Sequence, residues 1–75
     1  MDSDNAGRIA ATLRVARARR GITQEQLAKA AGLAPQTVSR FESGQREPRV
    51  SQLMRIAAAL DTTPSKLLAG VEVAA

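Results

Sequence analysis

Apolar residues recur along this chain at intervals of three and four, the period of a helix buried on one face. Ile9, Leu13, Ala16 and Arg20 keep that spacing within an Ala- and Arg-rich segment. They predict a first helix that starts near Asn5 or Ala6 and stops at Gly21. Leu27, Ala28 and Ala31 mark a second. Its start is well signalled: Thr23 and Gln26, three residues apart, form a capping box, and Ile22 and Leu27 are placed for a hydrophobic staple. Gly32, free to adopt positive φ, ends it.

The third helix is predicted within GLAPQTVSRFESGQREP, residues 32–48. Pro35 suits a first turn because it has no N–H to leave unpaired and a preset φ. Ala34 then occupies the cap with no side-chain oxygen, a loss of roughly 0.5–2 kcal/mol relative to Ser or Thr. Val38 and Phe41 share one face; Gln36, Arg40 and Ser43 lie at i, i+4 and i+7 on the other. Gly44 ends the helix and QREP forms a polar loop. Val50, Leu53, Ile56, Ala57 and Leu60 predict an amphipathic fourth helix ending near Asp61. Thr63 before Pro64 opens a fifth, carrying Leu67 and Leu68 to Gly70. With no strand alternation, repeat or linker, and a tail, VEVAA, too short for another domain, the expectation is a single all-α, five-helix domain over residues 1–75.

Composition narrows the chemistry. At 75 residues, a chain buries only about 60% of its unfolded surface, which leaves little room for a deep catalytic cavity. Cys and His are absent, so disulfides, thiolate metal sites and the usual zinc arrangements are excluded. Tyr and Trp are absent too, which removes the commonest general bases and nucleophiles; no enzyme, metal or cofactor is expected. No apolar run nears the roughly eighteen residues of a membrane helix, and MDSDNAG is acidic and polar rather than signal-like. A cytoplasmic protein is the expectation. The net charge is +4, with nine Arg among eleven basic residues. That balance points to an acidic partner, nucleic acid ahead of membrane, against the plainer alternative of a merely soluble surface.

From about Leu13 to Leu68, LRVARARRGITQEQLAKAAGLAPQTVSRFESGQREP followed by LMRIAAALDTTPSKLL resembles the lambda-repressor-like helix-turn-helix proteins, also called the Cro/C1 or XRE type. Arg17, Gly21, Thr23, Gln24, Leu27, Ala28, Gly32, Glu42, Gly44, Pro48, Ala57 and Leu60 stand in register with that family's pattern. The helix-turn-helix itself spans about residues 23–43. Ala28 and Gly32 follow from geometry alone, because two helices meeting closely across a sharp turn need a small contact surface and a free backbone. An ordinary αα-hairpin has the same need, so these two residues do not speak for DNA.

The resemblance implies roles for particular residues. Arg17 continues the Ile9 and Leu13 stripe and Glu42 follows Val38 by four; in the family these positions form a partly buried ion pair tying helix one to helix three. The alternative for Arg17 is a side chain snorkelling at the edge of the stripe. Helix three is the recognition helix of such proteins, entering the major groove. Carried over by position, Pro35, Gln36, Ser39 and Arg40 face bases. Gln36 has the chemistry to pair with adenine and Arg40 with guanine, each good bidentate contact being worth about 1–3 kcal/mol of discrimination. Pro35 departs from the polar residue often found there and offers an apolar contact instead. Gln24, Thr37, Ser43, Arg46 and Arg49 are expected at phosphates, Gln24 with the free N–H groups that open helix two. Arg14, Arg19 and Arg20 read as solvated charge on helix one.

The function implied is sequence-specific regulation of transcription, as a repressor bound to a pseudo-palindromic double-stranded operator in a prokaryote or phage. A homodimer is implied by the family, with Leu67, Leu68, Val71 and Val73 as either interface or core and chain end. A restriction-modification controller, an autoregulating antitoxin and a fragment of a longer regulator share the motif. From another class, a helical protein-interaction module lacking specific DNA binding keeps the same fold.

Overall fold

The computed structural model describes residues 4–74, with side chains for residues 5–69. Five helices follow one another: α1 (Asp4–Arg20), α2 (Gln24–Ala31), α3 (Pro35–Glu42), α4 (Val50–Ala59) and α5 (Pro64–Ala74). The architecture is all-α. α3 packs on α1 and α2, α4 on α2 and α5, and α5 returns to α1. One apolar core lies between them, and its largest fully buried side chains are Leu13, Leu27, Val38, Phe41 and Ile56. Each comes from a position that the helical spacing had turned inward.

The helix ends show why the chain breaks where it does. Thr23 Oγ1 accepts from Gln26 N at 3.0 Å while Gln26 Oε1 accepts from Thr23 N at 2.9 Å, a complete capping box. Ile22, just before the cap, packs on the core. α2 stops at Gly32, whose φ of 69° lets Leu33 N reach back to Ala28 O at 2.8 Å. The turn to α3 is therefore tight. Pro35 begins α3, and Ala34 provides no side-chain cap. Thr63 Oγ1 accepts from Lys66 N at 3.2 Å and so caps α5.

Several expectations need correction. α1 begins at Asp4, slightly ahead of the reading, and α4 ends at Ala59 with Leu60 as its C-cap. Asp61 makes the following turn in the left-handed region, φ 57°, where an Asp is tolerated without glycine. Val50 belongs to the apolar spacing of α4 but stands at the helix start, 76% exposed. Arg20 completes the α1 stripe yet stays at the surface, 3.8 Å from Asp61. α5 does not stop at Gly70 but continues to Ala74. A glycine inside a helix costs only about 1 kcal/mol relative to alanine. Leu67 is buried in the core and Leu68 packs half-buried against it, so Leu67 is not free to form an interface. Val71 and Val73 lie outside the residues whose side chains are described.

Candidate nucleic-acid interface

α3 has two unlike faces. Val38, Phe41 and Glu42 are buried, while Pro35, Gln36, Ser39, Arg40 and Ser43 are exposed along one continuous side. Thr37 lies at the boundary, half-buried. The sequence-predicted base-facing residues thus share a surface. Beyond the turn, Arg46 and Arg49 are exposed as well; Arg49 N donates to Gln52 Oε1 at 2.9 Å, which fixes the start of α4 while leaving the guanidinium outside.

The unusual member of the buried set is Glu42, only 2% exposed and the one buried charged residue among those described. An isolated carboxylate there would be strongly unfavourable. Its oxygens are instead fully engaged. Arg17 Nε donates to Oε2 at 2.8 Å, and Arg17 Nη2 and Gln24 Nε2 each donate to Oε1 at 3.0 Å. The Arg17 contact is bidentate, the strong and directional form of this pair. Arg17 Nη1 reaches Ile22 O at 2.8 Å, tying the same guanidinium to the turn before α2. The hydrogen bond with Glu42, the largest influence, raises the Arg17 pKa above its ordinary value; burial pulls the other way, and the carboxylate's charge adds to the rise. One buried carboxylate therefore joins α1, α2 and α3.

Two residues expected at phosphates already have partners. The Gln24 amide gives one N–H to Glu42, and its second N–H remains for another acceptor. Ser43 Oγ donates to Arg40 O at 3.2 Å, which occupies the single donor of that hydroxyl. Arg14 stands exposed on α1, but its guanidinium has a partner that the sequence reading did not foresee. Read as solvated charge, it donates through Nη1 to the main-chain oxygen of Glu42. No periodic signal marks a side-chain bond to a backbone carbonyl 28 residues away. Its place one turn before Arg17, on the same flank of α1, is the available clue.

The family model described as helix-turn-helix matches residues 5–67. The chain belongs to the lambda-repressor-like, XRE-type helix-turn-helix family. Two solved structures are similar over most of their length. One is the restriction-modification controller protein C.AhdI from Aeromonas hydrophila, 35% identical, covering 80% of this chain and 91% of that one with a TM-score of 0.78. The other is the clp gene regulator ClgR from Corynebacterium glutamicum, 27% identical, covering 93% and 91% with a TM-score of 0.85. No curated protein matches. Membership makes this helix-turn-helix chain a DNA-binding regulator. No helix among the described residues is long and apolar enough to cross a membrane.

Proposed function

We propose that the chain represses transcription by reading the major groove of a double-stranded operator with α3. The observation that carries this reading is the two-sided character of α3. Its buried side ends in a carboxylate held from α1 and α2, and its open side presents Pro35, Gln36, Ser39 and Arg40 together. Gln36 pairs with adenine N6 and N7, Arg40 with guanine O6 and N7, and Pro35 supplies an apolar contact of the kind a thymine methyl accepts. These contacts specify.

Affinity comes from the phosphates. Gln24 stands at the first turn of α2, where free N–H groups and the positive end of the helix dipole favour an anion. Its second amide N–H serves a phosphate while the first stays on Glu42. Thr37, Ser43, Arg46 and Arg49 complete the backbone contacts, Ser43 by turning its hydroxyl away from Arg40 O. The protein acts as a homodimer on a pseudo-palindrome, with half-sites about 34–36 Å apart. The two similar regulators serve different targets by their descriptions, so the operator follows from the residues of α3 rather than from the fold.

Selection from random-sequence duplexes, followed by binding across a salt series, tests the proposal. An enriched inverted repeat and an affinity that falls steeply with salt are the expected results. Salt-dependent binding with no enriched sequence would remove base reading. Absence of DNA binding would leave a helical interaction module.

A further inference from the structure

Arg14 and Arg17 lie one turn apart on α1, and both reach Glu42, the last residue of α3. They hold it at chemically different points. Arg17 takes the carboxylate with Nε and Nη2, whereas Arg14 Nη1 donates to the main-chain oxygen.

The carbonyl matters because a helix ends with orphan acceptors. In the turn after α3, Ser43 N bonds to Ser39 O at 3.0 Å, Gln45 N to Arg40 O at 3.0 Å and Gly44 N to Phe41 O at 3.3 Å. Arg14 takes up the next acceptor, Glu42 O. It also places a cation at the negative end of the α3 dipole. The Arg17 bond acts through the rotatable side chain of Glu42, which leaves the backbone some freedom to pivot. A bond to the carbonyl removes that freedom directly. Arg40 precedes this anchored residue by only two positions.

We infer that Arg14 is a positioning residue for base reading: by gripping the α3 backbone from behind, it fixes the pose in which Gln36 and Arg40 meet the bases. This rests on the DNA reading proposed above. Arg14 itself makes no base contact, so its effect falls on discrimination rather than on phosphate affinity.

The test compares the full chain with Arg14→Met, which keeps length and loses every donor, and Arg14→Lys, which keeps a donor. Helical circular dichroism at the assay temperature first establishes that each variant is folded. Backbone amide spectra of the free proteins, and affinity for the selected duplex and for random DNA across a salt series, are then measured. Arg14→Met is expected to move the amides of residues 40–45 and to lower the ratio of selected to random affinity on the order of fivefold, the lower end of one bidentate contact. Its salt slope stays that of the wild type, and Arg14→Lys recovers much of the ratio. Equal loss on both duplexes with a shallower slope would make Arg14 a phosphate contact and overturn the inference. Unmoved amides, or an unchanged ratio, would overturn it with the DNA reading intact. A wild-type chain that enriches no sequence overturns the DNA reading and the base-positioning role together. If Arg14→Met does not fold, Arg14→Gln, too short to reach Glu42 O, takes its place: displaced amides at residues 40–45 with a lowered ratio support the hold, and unmoved amides or an unchanged ratio overturn it.

Discussion

α2 and α3 are both eight residues long and lie side by side, yet they are secured in opposite ways. α2 is held locally. Its capping box satisfies the start, Gly32 closes the end, and both devices lie within its own stretch of chain. α3 has Ala34 and Pro35 where a cap would be, and no acidic residue in its first turn. Its security comes from elsewhere, through Arg14, Arg17 and Gln24 converging on Glu42. The helix with the weaker local start is thus the one held at its far end by three side chains from two other helices. Its first turn stays open, with neither a carboxylate nor a capping hydroxyl in the way of a ligand.

Removing the remote anchor has the largest expected effect. Glu42→Ala strands Arg17 and is expected to cost about 3–5 kcal/mol in denaturant unfolding; a loss of a few tenths would mean that α3 does not depend on the anchor. Removing the local cap costs less. Thr23→Ala is expected to destabilise by about 0.5–2 kcal/mol, with the loss concentrated in α2 when followed by amide exchange. The converse change sharpens the contrast: Ala34→Ser is expected to stabilise by up to about 1 kcal/mol, the typical worth of a cap, measured in the same unfolding assay. No gain would show that the α3 start is already satisfied.

The smallest effect is a predicted absence. Arg17 has a raised pKa in the folded state, so the stability it contributes is complete below its unfolded value and is lost only as pH rises through the still higher folded one. Both lie far above the physiological range. The ionisation of Arg17 itself therefore adds no slope to the wild-type stability curve between pH 6 and 9, while the curve of Arg17→Met, which leaves the Glu42 carboxylate buried without its cation, is expected to lie lower throughout.

The same contrast explains what could be read from sequence. α2 was legible almost to the residue because Thr23, Gln26 and Gly32 act within one helix. The inward positions of α3 followed from helical spacing, and Pro35 marked its start. Arg17 and Glu42 came from an apolar stripe interrupted by charge and from the family resemblance; the structure sets them 2.8 Å apart. Other features had no local signature. Arg14 meets a carbonyl across 28 residues, and Gln24 looked like a residue for phosphate alone until Glu42 lay beside it. Gly70 looked like a stop because glycine often ends a helix, but α5 runs through it. Val50 had the right spacing and the wrong height, since the start of α4 lies beyond the core.

The central claim is that the anchored helix reads bases through its open face. Arg40→Ala tests it most directly, titrated against the selected duplex and random DNA at several salt concentrations. The account predicts a loss worth about 1–3 kcal/mol on the selected duplex, relaxed preference at one base pair and little change on random DNA. An equal loss on both duplexes would contradict it and reduce Arg40 to a backbone contact.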